Sequence, residues 1–316
     1  MTLAEFDRLY AEFEVVHQAQ ARRSQMTTRR KDGQARQRAV GGGPKYRYDL
    51  RDRVLMTLFW LRVYTTYEVL GFLYGLNKTN IEDILHDILA TLEQMSTFTF
   101  DRPDRPDRPD RPRKKLSSPE AVMDAFPSVR VVIDAKEQRI QRPQAGTDEH
   151  GQRLDRQKPY YSGKKKTHTL KTQLAVRPDG VIESLSDSVP GSTHDLTLLR
   201  QTELMTHLDD ADADADAAML DKGYDGLQND CASTQLVQPY KARRNHPLTD
   251  AQKAFNQIVS HYRIVVEHTI AQLNRFQVLK QVFRHALGWH SRISRVVAGL
   301  VNRRLHVQPL KVYGAT

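Results

Sequence analysis

The chain has 316 residues, 48 of them Lys or Arg against 38 acids, a formal charge of +10, and one cysteine, Cys231. That length carries one large domain with a small companion, the positive excess favours polyanions such as nucleic acid, and a lone cysteine excludes both an internal disulfide framework and a zinc site built on cysteines. No apolar run approaches the roughly 20 residues that span a bilayer, and the start, Met1-Thr2-Leu3-Ala4-Glu5-Phe6-Asp7, lacks the basic and apolar regions of a signal peptide, so a cytoplasmic location with no membrane partner is expected.

Residues 3–19 carry Phe6, Leu9, Tyr10, Phe13 and Val16 at helical spacing. A basic stretch follows, with Arg22, Arg23, Arg29, Arg30, Lys31, Arg36 and Arg38 and only Asp32 opposing, before Gly41-Gly42-Gly43-Pro44 breaks the chain. Residues 1–43 therefore read as a helix and a mobile arm, which either contacts DNA phosphates or is a solvated linker.

Residues 44–97 hold three helical patterns. The first carries Val54, Leu58 and Leu61; the second starts near Thr65-Thr66, an N-cap signal, and carries Val69, Leu70 and Leu73; Gly75 makes a turn; the third carries Ile81, Ile84, Leu85, Ile88, Leu89 and Leu92. This is the order of a helix-turn-helix, and a plain three-helix packing module is the alternative. In the first reading the last helix presents Asn77, Lys78, Thr79 and Asn80 to base edges. Glu82, Asp83 and Asp87 follow on the side expected to be exposed, where they repel phosphate.

Residues 98–120 form a linker containing Asp-Arg-Pro four times over 101–112, an extended, charge-balanced spacer because proline fixes φ and pushes its predecessor out of the helical region. Residues 121–310 read as one α/β domain. A strand ends at Asp134. Residues 168–176 and 181–187 form a hairpin about Arg177-Pro178-Asp179-Gly180, and Gly191-Ser192-Thr193 caps a helix beginning near His194. Residues 209–218 are an Asp/Ala run read as a loop. Short strands at 219–221 and 236–239 precede a long helix, capped by Thr249 or Asp250 and running to about Phe276, and a final helix carries Ile293, Val296, Val297, Leu300, Val301 and Leu305.

Three acids stand out in this frame. Asp134 and Asp221 end apolar runs, and Glu267 lies in the long helix among Ile264, Val265, Val266 and Ile270, apolar neighbours that argue for a partner or a metal. Two strand-end aspartates and a helix glutamate can hold two Mg²⁺ ions on a scissile phosphate, Asp134 bridging both. Arg263, one turn before Glu267, is placed to hold a carboxylate or to reach a DNA phosphate. Tyr160-Tyr161-Ser162-Gly163-Lys164-Lys165-Lys166-Thr167-His168 reads as a phosphate-gripping edge, or as a solvated turn. Asp195 at a helix start is either part of the site or an ordinary first-turn acid. From Arg275 onward the chain carries Arg275, Lys280, Arg284, Arg292, Arg295, Arg303, Arg304 and Lys311 and no acid, which suggests a DNA-tracking face.

Five motifs in order resemble bacterial insertion-sequence transposases, in the Harbinger-related branch of the DDE superfamily. They are Asp134 with Glu137-Gln138-Arg139-Ile140-Gln141-Arg142-Pro143, Tyr161-Ser162-Gly163-Lys164-Lys165-Lys166 with His168 and Lys171, Pro190-Gly191-Ser192-Thr193-His194-Asp195, Asp221-Lys222-Gly223-Tyr224, and Tyr262-Arg263 leading to Glu267. The likeness runs from about residue 45 to 285; Ala135-Lys136 depart from the pattern, which more often has a small residue and Thr there. The resemblance implies an α/β, RNase H-like mixed sheet flanked by helices behind an all-α helix-turn-helix module. It implies metal-dependent DNA cleavage at terminal inverted repeats and joining of 3′-OH ends to target DNA, using two Mg²⁺ ions (or Mn²⁺). Carried over by motif, Asp134, Asp221 and Glu267 are the catalytic and metal-binding triad. Lys78, Thr79, Asn80, Lys164, Lys165, Lys166, His168, Lys171 and Arg263 contact DNA, and Glu137 and Asp195 stand behind the metal ligands. The expected partners are double-stranded DNA and further copies of the chain, a homodimer or larger, on the bacterial nucleoid. Two other readings are a transposase-derived DNA-binding protein without catalysis and a metallohydrolase built on His168, His194, Asp195 and Asp221.

Overall fold

The computed structural model describes residues 1–26, 47–96, 129–144, 146–147, 153–208, 217–230, 235–242, 244 and 246–307. The basic arm beyond residue 26, the Asp-Arg-Pro repeat and most of the Asp/Ala run lie outside them. The chain divides into two compact units, one of Met1–Thr97, Phe276–Val278 and Arg292–Leu300, the other of Phe98–Arg275, Leu279–Ser291 and Val301–Thr316.

The first unit contains α1 (Leu3–Met26), α2 (Leu50–Val63), α3 (Tyr67–Tyr74) and α4 (Lys78–Met95). Each of the last three starts on a side-chain cap: Asp49 accepts from the Asp52 amide, Thr66 from Val69 and Asn77 from Asn80. The third apolar stripe forms as expected, with Ile81, Ile84, Leu85, Ile88, Leu89 and Leu92 buried. The turn between α3 and α4 needs glycine twice. Gly75 closes α3 at φ 61°, and a Cβ on Gly71 would sit 2.5 Å from the Leu76 carbonyl oxygen. Asp87 does not stand free on the exposed side: it takes Arg53 at 3.2 Å and His17 at 3.3 Å, joining α4 to α2 and α1. Arg292 and Arg295 hydrogen-bond the Glu93 carboxylate, so part of the one-signed charge near the C-terminus is spent on an acid far away in sequence rather than offered to DNA.

In the second unit seven strands of the described residues join one sheet. Strand β1 (Val129–Arg139) pairs antiparallel with β5 (Thr167–Val176) and parallel with β8 (Ala217–Leu220), which pairs parallel with β9 (Gln235–Val237). On the other side β5 pairs antiparallel with β4 (Tyr161–Ser162), β6 (Ile182–Leu185) and β7 (Val189–Pro190). A separate ribbon joins β2 (Gly146–Thr147) to β3 (Arg153–Leu154). The path β6-β5-β1-β8-β9, antiparallel then parallel, is the RNase H-like mixed sheet implied by the resemblance. The hairpin turn is as expected: Gly180 has φ 91°, and the Asp179 carboxylate accepts from the Val181 amide at 3.1 Å.

Helices α5 (Asp195–Arg200), α6 (Glu203–Leu208), α7 (Asp250–Leu273) and α8 (Trp289–Val307) complete the described chain. Val131, Ile133, Ala218, Leu220, Tyr224 and Leu227 bury against Leu196, Leu199, Leu204 and Leu208. Thr249 and Gln252 form a reciprocal capping box at the start of α7, whose inner face is Phe255, Val259, Val266 and Leu273.

Three boundaries differ from expectation. Ala217 and Ala218 are buried strand, not loop, because small apolar residues fit a sheet covered on both faces. Residue 194, not the Gly191-Ser192-Thr193 turn, occupies the cap of α5, without a side-chain bond. Strand β1 does not stop at Asp134 but continues to Arg139, pairing with Thr169 through Gln173 of β5. What ends near Asp134 is the parallel pairing, whose last pair is Ile133 with Leu220.

Candidate active site

Asp134 and Asp221 are therefore neighbours by register: each follows the last paired residue of two adjacent parallel strands, at the point where β8 leaves β1. The departure of β8 opens one edge of β1 there, and ligands of open α/β sheets bind outside the carboxyl ends of such strands. The structure brings a third residue to this pair. Arg263, on α7, donates from Nη1 to Asp221 Oδ1 at 3.1 Å and from Nη2 to Asp134 Oδ2 at 3.3 Å. Its own Nε is buried without a hydrogen-bond partner. Asp134 Oδ1 accepts from the Ala135 amide at 2.8 Å. Burial pushes the Asp134 carboxyl above its ordinary value, and the adjacent Arg263 guanidinium opposes that shift.

Glu267 is placed differently from its expected apolar setting. It is exposed, while its neighbours Val265 and Val266 are buried. Successive residues on a helix are about 100° apart, so apolar neighbours in sequence do not share its face. Among the described residues no three or more His, Cys, Asp or Glu side chains are gathered closely enough to hold a metal ion. The donor set of the aspartate pair nevertheless suits a hard cation. Two carboxylates, supplying oxygen only, already share one positive group between them.

Behind the pair lies a polar network. Lys171, expected on the DNA side, is buried, and its ammonium donates to the Thr193 carbonyl at 2.6 Å and to Asp195 at 2.7 Å, with Glu137 at 3.9 Å. Such a group is committed inside the fold and is not available to a phosphate. Glu137 accepts from the Thr169 hydroxyl at 2.9 Å. Asp195 lies against the turn that carries Asp221: a Cβ on Gly223 would come within 2.7 Å of its Oδ2. Tyr224, buried beneath the same turn, accepts from Gln173 at 2.8 Å, and Gln238 donates to its carbonyl. Sequence reasoning missed Gln173 and Gln238; polar residues within strands of a mainly apolar sheet are the signal that points to them.

Lys136, the departure from the family pattern, is held by a backbone carbonyl and not by either aspartate. Its ammonium donates to the Leu279 carbonyl at 2.7 Å, and burial pushes its pKa down to about 8. Lys164, Lys165 and Lys166 are exposed on the β4–β5 turn, which is tied by the Lys165 amide to the Ser162 hydroxyl and by the Lys166 amide to the Ser162 carbonyl. Lys164 is close enough to Asp134 to favour its charged form. His168 packs edge-on against Tyr161 across the same hairpin. In the first unit Lys78, Thr79 and Asn80 are exposed in the first turn of α4, and Lys78 pairs with Glu68 at 2.9 Å on the surface.

The sequence matches the family model described as DDE superfamily endonuclease over residues 133–302, and that of the helix-turn-helix of DDE superfamily endonuclease over 49–98. It is 27% identical over 256 residues to the probable transposase for insertion sequence element IS702 of Microchaete diplosiphon, covering 81% of each chain. Among solved structures, the pre-cleavage Mos1 transpososome shares 9% identity over 78% of this chain and 83% of that one, with a TM-score of 0.22. The Mos1 transposase paired-end complex with left transposon end shares 12% over 87% and 81%, with a TM-score of 0.24.

Proposed function

The chain belongs to the DDE superfamily endonucleases, and from that premise we propose that it is the transposase of an insertion element, cutting DNA at the element's terminal inverted repeats and joining the freed 3′-OH ends to target DNA. The observation that carries this reading is the pair of carboxylates, Asp134 and Asp221, side by side where two parallel strands part and sharing one guanidinium. Asp134, Asp221 and Glu267 would hold two Mg²⁺ or Mn²⁺ ions, which when bound lower the pKa of the attacking oxygen and stabilise the leaving one. Glu267 reaches the pair by movement of its side chain or of α7, since it faces solvent in this structure.

The other parts of the chain position the DNA. The exposed lysines 164–166, of which Lys164 is close enough to act on Asp134, offer three cations for phosphate oxygens of the DNA. The first turn of α4, with Lys78, Thr79 and Asn80, supplies short polar side chains where a recognition helix meets base edges. Glu137, Lys171 and Asp195 hold the Asp221 turn from behind. Metal-dependent nicking of DNA bearing the element's ends tests the assignment. Asp221→Asn is expected to reduce it by about a hundred- to a thousandfold, the scale lost when charge stabilisation in a transition state is removed. Retention of nicking by that variant would show the triad to be misassigned. End-specific DNA binding by the unaltered protein without any metal-dependent cutting would favour the non-catalytic DNA-binding reading.

A further inference from the structure

We infer that Arg263 is the resident counter-cation of the Asp134–Asp221 pair and must withdraw from it when a divalent cation binds; this rests on the metal-site reading above. One oxygen of each carboxylate is on the guanidinium, Oδ1 of Asp221 on Nη1 and Oδ2 of Asp134 on Nη2, and the other oxygen of Asp134 takes the Ala135 amide. A divalent cation held by the same two aspartates would compete with the guanidinium for their negative charge and would be repelled by it, so the two occupants oppose each other. The contacts are of a kind that exchanges. Each is a single hydrogen bond of 3.1 or 3.3 Å, longer than the roughly 2.7–2.9 Å of tight charge-assisted bonds, and neither is the two-pronged fork in which arginine binds carboxylate most firmly.

Nε gives the pose a second mark of incompleteness. It is one of the five N–H donors of the guanidinium, and it is buried with no hydrogen-bond partner, which is costly for a polar group. One positive charge also leaves the pair of aspartates with a net negative charge, which a dication removes. Arg263 and Glu267 are one helical turn apart on α7, so their side chains leave the helix at neighbouring positions. Arg263 thus acts as a positioning residue. It holds two mutually repelling carboxylates together at the parting of β1 and β8 until metal arrives, and it then leaves its donors free for phosphate.

The test uses the full-length protein and Mn²⁺ followed by the electron paramagnetic resonance of the free ion. If the guanidinium holds the pair for about nine-tenths of the time, the apparent affinity of the native chain is lowered about tenfold, and Arg263→Gln binds correspondingly tighter. Chemical modification by phenylglyoxal, mapped by mass spectrometry, reads the displacement directly: Arg263 reacts severalfold faster with Mg²⁺ present. Arg263→Lys, which keeps a cation at the position, guards against loss of folding and retains weaker Mn²⁺ binding than the glutamine variant. Equal Mn²⁺ affinity in native and Arg263→Gln chains, with unchanged modification of Arg263, overturns the inference while leaving the metal site standing. Absence of Mn²⁺ binding by either chain overturns both.

Discussion

At the scale of single residues, lysines in one short stretch of chain divide between two jobs. Lys164, Lys165 and Lys166 are exposed on a turn, and Lys171 is buried with its ammonium on Asp195 and Thr193. Removing one partner of a buried ion pair leaves the other charge uncompensated, so Lys171→Met is expected to destabilise the fold by on the order of 3 kcal/mol. It should leave the salt dependence of DNA binding unchanged. Lys165→Ala should do the reverse, with little effect on stability and a reduction of about one in the slope of log affinity against log salt. Urea unfolding and salt-dependent DNA titrations separate the two. A Lys171→Met chain of native stability with a reduced slope would return that lysine to the DNA surface.

At the scale of elements, His290 joins three parts of the second unit. Gln138 of β1 donates to the Gln281 carbonyl, which leaves its side-chain oxygen to accept from His290 Nε2 at 2.8 Å. His290 Nδ1 then accepts from the Ser188 hydroxyl at 2.6 Å. The ring is neutral and saturated in this arrangement. Burial, with the Lys136 ammonium adding to it, pushes its pKa down to about 3. The sign follows directly. Between about pH 6.5 and 3 the unfolded chain takes up a proton that the folded chain refuses, so stability is lost as pH falls through that window. The loss attributable to this ring is a few kcal/mol by the foot of the window. Comparing urea midpoints at pH 7 and pH 4.5, His290→Gln should show a shallower acid decline than the native chain; an identical decline would mean the ring titrates normally.

At the scale of the whole molecule, joining two element ends to one target requires two active sites, so we expect a dimer or larger assembly on DNA. Gel filtration with paired end DNA is expected to give a complex of at least two chains; a complex holding one chain would count against it. Much of the architecture was legible beforehand. Apolar periodicity located the helices at Lys78–Met95 and Asp250–Leu273, and the caps of α3 and α7 were narrowed to Thr65-Thr66 and to Thr249 or Asp250, of which Thr66 and Thr249 take the role. The Pro-Asp-Gly hairpin was equally plain. The extension of β1 to Arg139 was not, because Lys136 and Glu137 interrupt the apolar pattern, and only their partners, the Leu279 carbonyl and the Thr169 hydroxyl, make them acceptable in a sheet.

The sequence by itself determined the order of the main helices and strands, the caps of α3 and α7 to within a residue, and the turn chemistry of the Pro-Asp-Gly hairpin, because each is written in periodicities and short motifs that act over a few residues. Tertiary structure alone decided which charges meet. Arg263 stands 129 positions from Asp134 and 42 from Asp221, and Arg292 stands 199 from Glu93. A charge read along the chain has no visible partner at such separations, so Asp87, Lys171 and the C-terminal arginines read as exposed until folding supplied the opposite group. The same physics placed Glu267 in solvent: its apolar neighbours in sequence face the core, and the helix turns its carboxylate the other way.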